Sequence, residues 1–340
     1  MKIKQITYLL VLVGLITISK LNVTIATHTT ILQFLPKEKY LQQENFTLTV
    51  YISNVTNLNV WQVTIKFDPS HLKCNNVTIP PDNLFAGYPI ISPDAKIDNA
   101  NGIIVKFTAL DGKQGINGSG KLVEIEFEAL SFTCQTDISF IGINQVNPVN
   151  GTYLQDPNGQ LIDFQPLSAQ IHILPPANIF TITKDSNQYN ITVFTNSTTV
   201  NAFNYNETAK RIGFNLTGSQ NMLSFTCVQI PKAVLNTSYY VVKVDSIPLP
   251  ATIIQNLTQA LICVTFVHNE TETRITIVQT GAGDINGDQK VDIRDIAITA
   301  YAFGSYPGHS RWDPLADING DGRVNIRDIA FVAYNYGNTY

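Results

Sequence analysis

Apolar and polar side chains alternate with a period of two in FTLTVYI from Phe46, WQVTIKF from Trp61, GIIVKFTAL from Gly102, LVEIEFEAL from Leu122 and AQIHIL from Ala169. Each run puts apolar residues on one face of an extended segment and polar residues on the other, which predicts half-buried strands. Turn formers separate them, as in NGSG at 117–120 and DPNGQ at 156–160. Short strands at this rhythm predict an antiparallel β-sandwich. ILPPAN at 173–178 breaks the pattern with two prolines and reads as a linker. A second series follows to about residue 279, with NIFTITKDSNQYNITVF, RIGFNLTG, SFTCVQIP, YYVVKVDSI, LICVTFVH and TRITIVQ, and predicts a second antiparallel sandwich.

The period then changes. Apolar residues fall at Ile293, Ile296, Ala297, Ala300 and Phe303, and again at Ile326, Ile329, Ala330, Ala333 and Tyr336. That spacing predicts two helices, closed by Gly304 and Gly337. The expected fold is therefore mainly β, two sandwiches followed by a small helical module. Ahead of each helix stands the same motif, DINGDQKVDIRD at 284–295 and DINGDGRVNIRD at 317–328. It sets side-chain oxygens at loop positions 1, 3, 5, 9 and 12: Asp284, Asn286, Asp288, Asp292 and Asp295, then Asp317, Asn319, Asp321, Asn325 and Asp328. The backbone carbonyls of Lys290 and Arg323 fill position 7. A hard cation such as Ca²⁺ takes about six to eight oxygen ligands, and this alternation wraps one ion per loop, two in all. Gln289 replaces at position 6 the glycine seen in Gly322. Because that turn favours positive φ, the substitution is expected to cost about 1 kcal/mol and to weaken the first site. Tyr306 and Trp312, between the repeats, are expected to bridge beneath the two loops.

An EF-hand would place a helix before each loop and a bidentate Glu at position 12, but Gly281, Ala282 and Gly283 precede the first loop and both copies end in Asp. A duplicated loop and following helix without the preceding helix resembles a type I dockerin domain over residues 281–340. The resemblance implies a fold built around two calcium ions and a surface that binds a cohesin domain. The matching contact positions are Ile293, Arg294 and Tyr301 in the first copy and Ile326, Arg327 and Tyr334 in the second. Near-identity of the copies implies that either face can meet the partner. Ile293 and Ile326 also begin the apolar stripes, so a core role stands as the alternative.

The first sandwich, residues 27–175, resembles a cohesin domain in NVWQVTIKFDPSHLKC from Asn59, GSGKLVEIEFEAL from Gly118 and NGTYLQDPNGQLIDF from Asn150. The pattern is shared with carbohydrate-binding sandwiches. A cohesin would imply a dockerin-containing partner; a carbohydrate-binding module would imply a polysaccharide and aromatic contacts, for which the exposed candidates are Tyr88 and Tyr153. The second sandwich, 176–280, resembles sequon-rich modules of exported archaeal proteins, which implies a spacer or surface role.

Lys2 and Lys4, an apolar run from Ile6 to Ile18 and small residues near Ala26 have the layout of a secretory signal peptide over 1–26, with an uncleaved anchor as the alternative. The mature chain is then expected to be secreted or held at the cell surface, and not an integral membrane protein. Sequons agree with export, at Asn45, Asn54, Asn76, Asn117, Asn150, Asn190, Asn196, Asn206, Asn215, Asn236, Asn256 and Asn269. Four cysteines allow three pairings; the economical one joins Cys74 to Cys134 and Cys227 to Cys263. A net charge of −4 gives no footprint for nucleic acid.

Catalytic patterns are weak. GINGSGK at 115–121 has the spacing of a phosphate loop, but Leu122 replaces the hydroxyl residue that would hold Mg²⁺, and a strand pattern follows in place of a helix. The histidines, His28, His71, His172, His268 and His309, lack metal-ligand spacing, and Glu124, Glu126 and Glu128 alternate as a solvated strand face. The expected function is a non-catalytic extracellular adaptor assembled through calcium-dependent dockerin–cohesin pairing and associated with polysaccharide breakdown. The alternatives are a carbohydrate-binding cell-surface protein and a structural envelope glycoprotein.

Overall fold

The computed structural model describes residues 29–146 and 151–340. The expected leader at 1–26 and the sequon at Asn150 lie outside these residues. Among the described residues, four β-sheets and two helices form a mostly β structure.

Two sheets built from residues 31–173 face each other. The first runs in the order Gln165–Leu167, Ile31–Leu35, Asn45–Leu58, Ile116–Ala129 and Leu72–Thr78. The second runs Glu38–Leu41, Ala169–Ile173, Thr133–Phe140, Val60–Lys66, Ile103–Leu110 and Ile90–Ile91. Most pairs are antiparallel, but Ile31–Leu35 pairs in parallel with Gln165–Leu167, and Glu38–Leu41 with Ala169–Ile173. Alternation does the folding work: Phe46, Leu48, Val50 and Ile52 point inward while Asn45, Thr47 and Thr49 are exposed or stay outside the core. Trp61, Phe34, Phe67 and Phe127 fill the space between the sheets. Each such side chain contributes roughly 1.5–3 kcal/mol through removal from water. Gly102 is required where it stands, since its φ is +62° and a Cβ there would lie 2.1 Å from the Phe67 carbonyl oxygen.

GINGSGK is not a phosphate loop: residues 116–121 are the first half of the strand Ile116–Ala129, as the alternation after Lys121 implied.

The second pair of sheets spans residues 177–280. One runs Ala177–Lys184, Asn187–Thr195, Leu223–Pro231, Gln259–Val267 and Thr252–Gln255; the other runs Thr199–Asn206, Arg211–Thr217, Glu272–Thr280, Tyr239–Val244 and Ile247–Leu249. Two hairpins turn through Asp185–Ser186 and Asp245–Ser246, all four residues at positive φ. Paired positive φ values match the right-handed twist of the flanking strands, and short polar residues tolerate them.

Cys227 and Cys263 sit directly opposite on neighbouring strands and are joined by a disulfide. The expected bond between Cys74 and Cys134 is absent; both are buried free thiols. Cys74 lies on Leu72–Thr78 in one sheet and Cys134 on Thr133–Phe140 in the other, where it faces the second sandwich and not Cys74. Burial pushes the Cys74 thiol up to about 11, against a backbone hydrogen bond of Asn76 that pulls it down.

The two sandwiches meet through an apolar cluster of Cys134, Leu174, Cys227, Leu261 and Cys263, beside which Phe132 and Phe225 stack with centroids 6.3 Å apart. Tyr153, expected to be exposed, is 6% accessible because its strand pairs with Val60–Lys66, whereas Tyr88 is exposed. Among the described residues no helix is long and apolar enough to cross a membrane.

Candidate metal centre and docking face

The duplicated motif folds twice into the same turn. In the first copy Asp284, 4% exposed, accepts the N–H groups of Gly287 and Asp288 at Oδ1, 2.8 and 3.2 Å, and that of Gln289 at Oδ2, 2.8 Å. In the second, Asp317 accepts from Asp321 at Oδ1, 3.2 Å, and from Gly322 at Oδ2, 2.9 Å. The position 12 carboxylates close the loops in parallel fashion. Asp295 accepts from Ile285 and Asn286, and Asp328 from Ile318 and Asn319. Both are fully buried.

Positions 9 begin the helices. Asp292 accepts the Arg294 N–H at 2.7 Å and Asn325 accepts the Arg327 N–H at 2.9 Å, so each is the N-cap of its helix, α1 (Ile293–Ala302) and α2 (Ile326–Tyr334). Capping by a side-chain oxygen satisfies an orphan N–H and contributes about 1 kcal/mol.

These residues fit a hard cation. Asn286 Oδ1 is buried and has no hydrogen-bond partner, an acceptor left over at a position where the motif supplies a metal ligand. Burial pushes the Asp284 carboxyl up to about 6, with the charge of Asp295 adding to the effect and the N–H groups of Gln289, Gly287 and Asp288 opposing it. Carboxylates crowded into a sheltered loop call for positive charge, and a bound cation supplies it. Asp284, Asn286, Asp288, Asp292 and Asp295 would hold it in the first loop, with the Lys290 carbonyl; Asp317, Asn319, Asp321, Asn325 and Asp328 in the second, with that of Arg323.

A pseudo-symmetric exchange locks the repeats. At loop position 8, Val291 donates to Asn338 O and accepts from Gly337 N, beyond α2; Val324 donates to Ser305 O and accepts from Gly304 N, beyond α1. Only small apolar clusters lie within: Ile285, Val291 and Val332, and Ala302, Ala316, Val324 with Trp312. Trp312 packs there as expected, but Tyr306 does not; it is 55% exposed and tilts against His309. Tyr340 clasps the module by donating its N–H to Gln289 O and its Oη–H to Ala282 O.

The helical register puts Asp295, Thr299 and Ala302, and Asp328 and Val332, on the buried side. Ile293 and Ile326 are therefore not core. They are 64% and 66% exposed, with Tyr301 at 70% and Tyr334 at 89%. Arg294 and Arg327 are exposed beside them. Arg294 also lies 3.6 Å from the Asp288 carboxylate.

Gln289 has a second role that composition gave no sign of. Its φ is +69°, as the motif demands. Its side-chain amide donates to the carbonyl oxygens of Ala209 and Gln279 in the second sandwich, at 2.9 and 3.5 Å. Lys243 reaches from the same sandwich to Gly287 O at 2.8 Å, and a Cβ on Gly287 would fall 2.8 Å from Val241. The first loop is thus seated on the neighbouring sandwich, with hydrogen bonds of about 0.5–1.5 kcal/mol each to offset the strained backbone.

Comparison with known proteins places names on two of these regions. The family model of the cohesin domain matches residues 35–151, and that of the dockerin type I domain matches residues 282–335. No curated protein matches the chain. Similar solved structures include a non-cellulosomal cohesin from the archaeon Archaeoglobus fulgidus, 14% identical, covering 43% of this chain and 91% of that one with a TM-score of 0.34. Another is the second type II cohesin module of the adaptor ScaA scaffoldin of Acetivibrio cellulolyticus, 20% identical, covering 44% and 92% with a TM-score of 0.36. A third is the Coh-OlpA–Doc918 complex of Clostridium thermocellum, 11% identical, covering 43% and 99% with a TM-score of 0.34. Cohesins and dockerins are non-catalytic interaction domains, and type I dockerins bind calcium. One chain therefore carries both halves of a protein-assembly pair: a cohesin domain over residues 35–151 and a type I dockerin domain over residues 282–335.

Proposed function

We propose that the chain is an extracellular, non-catalytic adaptor, which engages a cohesin-containing protein through its dockerin and a dockerin-containing protein through its cohesin domain. The observation that carries this reading is the exposure of Ile293, Tyr301, Ile326 and Tyr334 on two matching helix faces. Large apolar residues beside an arginine, left in water at repeated positions, are the anchors that interface centres use. Two calcium ions, one per loop, hold the helices that present them.

On the cohesin side, the strand Ile103–Leu110 turns Ile103, Val105 and Phe107 outward and half-exposed. This sheet face is the proposed seat of a dockerin. The second sandwich, residues 176–280, serves as a spacer that seats the first calcium loop. Export accords with the exposed sequons at Asn45, Asn54, Asn76, Asn117, Asn190, Asn206, Asn236, Asn256 and Asn269. Asn196 and Asn215 are half-buried and accept hydrogen bonds from Phe225 N and Arg274, which makes them poor acceptors of a glycan.

Calcium-dependent capture of purified cohesin modules by the full chain tests the reading. Capture that is equal in calcium and in chelator, or none in either, counts against it; sedimentation of the chain alone shows whether identical copies pair.

A further inference from the structure

Three of the four cysteines converge where the sandwiches touch. Cys134 is a free thiol, 5% exposed, and its Sγ lies within 4.8 Å of both sulfurs of the Cys227–Cys263 disulfide. The thiol belongs to the cohesin domain and the disulfide to the second sandwich. Leu174 and Leu261 surround them, and a cavity of about 550 Å³ lined by Cys134 and Cys263 runs alongside, between Phe132 and Phe225. A thiol and a disulfide within a few ångströms are the reactants of thiol–disulfide exchange, which passes through attack of a thiolate on one disulfide sulfur.

We propose that this cluster is a disulfide-exchange site, which converts the bond within the second sandwich into a bond between that sandwich and the cohesin domain. The deprotonated sulfur of Cys134 attacks Sγ of Cys227 or of Cys263. A new S–S bond forms as the old one breaks. The departing sulfur leaves as a thiolate and takes up the proton that Cys134 released. One disulfide and one thiol are present before and after, so no oxidant or reductant enters. The product ties Thr133–Phe140 covalently to Leu223–Pro231 or Gln259–Val267 and fixes the placement of one sandwich on the other.

Burial sets the rate. It pushes the Cys134 thiol up to about 12, so the attacking thiolate is scarce at neutral pH. The titratable groups around it are Tyr40, itself pushed up to about 12 chiefly by burial, His172, whose Nδ1 meets the Cys134 carbonyl oxygen, Glu38 behind that ring, and His71 across the cavity. The second sandwich contributes Thr252 and Thr265, which carry no charge, and neither lysine nor arginine lines the cavity.

Trypsin separates the four cysteines onto four peptides, Cys74–Lys96, Leu122–Lys184, Ile212–Lys232 and Val244–Arg274. The full chain is held in calcium buffer at pH 7 and pH 9, with circular dichroism to confirm that it stays folded, then quenched in acid, alkylated and mapped without reduction. The expected result is a bond from Leu122–Lys184 to Ile212–Lys232 or Val244–Arg274. It should form about tenfold faster per pH unit, as the thiolate fraction does. Cys134→Ser should keep only the Cys227–Cys263 link. Cys74, buried in the other sheet, reports scrambling through unfolding. Persistence of Cys227–Cys263 as the only link at both pH values overturns the proposal, and so do links to Cys74 as frequent as links to Cys134.

Discussion

Asp295 accepts the backbone N–H of Asp292 at 2.9 Å while Asp292 caps the helix that carries Asp295, so the last two ligand positions of the first loop hold each other in place. The second copy repeats this with Asp328 and Asn325 at 2.8 Å. Since Asn325 already caps α2, Asp292→Asn should leave α1 intact and weaken calcium at the first loop only moderately. Asp295→Asn instead turns an amide toward backbone N–H groups that need acceptors, at about 1–3 kcal/mol for each one lost. Calorimetric titration of that variant should show at least a tenfold weaker first site beside an unchanged second.

Calcium removal should unfold the dockerin and spare the sandwiches. The dockerin's apolar clusters are small, whereas the cohesin core spans two full sheets. Small modules with thin cores draw folding free energy from metal. Limited proteolysis in chelator is expected to cut within residues 281–340 and leave 29–280 resistant; equal resistance with and without calcium would contradict the metal's structural role.

Replacing Gln289 separates its two duties. Gln289→Ala keeps the strained φ and loses the bonds to Ala209 and Gln279, which predicts a loss of about 1–2 kcal/mol in dockerin stability. Gln289→Gly relieves the backbone and loses the same bonds, so its cost should be smaller by about 1 kcal/mol. Thermal unfolding in calcium measures both.

The paired faces predict redundancy. Alanine at Ile293, Arg294 and Tyr301 together, or at Ile326, Arg327 and Tyr334 together, should change cohesin affinity by no more than about threefold. Alanine at all six should lower it by more than about thirtyfold, the scale of a lost hot spot. A large loss from one triplet alone would show that a single face docks.

His268 gives a pH dependence of known sign. It is fully buried, with Nε2 3.0 Å from Ser197 Oγ and Nδ1 2.8 Å from Thr273 Oγ1. Burial lowers its pKa from the usual 6.5, against the pull of Asp245. The unfolded chain then takes up a proton that the folded chain refuses. The contribution of His268 is present in full above about pH 6.5 and declines as pH falls below it. Melting temperatures of His268→Gln should change less between pH 7 and pH 5.5 than those of the parent.

Local alternation made the strands legible, because burial on one face leaves a period of two in the sequence. Ile116–Ala129 and Asn45–Leu58 were visible for this reason, and the calcium loops were visible because their ligands lie within twelve residues. What distant chain segments decide was not visible. The inward or outward sense of Ile293 depends on which helix face meets Val291 and Val332. The pairing of Cys134 depends on which sheet its strand joins, and the purpose of Gln289 on a carbonyl 80 residues earlier.

The clasp made by Tyr340 also bears on chain connectivity. A Cβ at Gly281 would lie 1.9 Å from the Tyr340 ring, so the two limits of the dockerin are neighbours in space. Joining them and opening the chain within residues 305–316 would reverse the order of the repeats while keeping every contact between Val291, Val324 and the segments they pair with. The order in which the two faces are written along the chain is thus free, and what distinguishes them is which loop rests on the second sandwich.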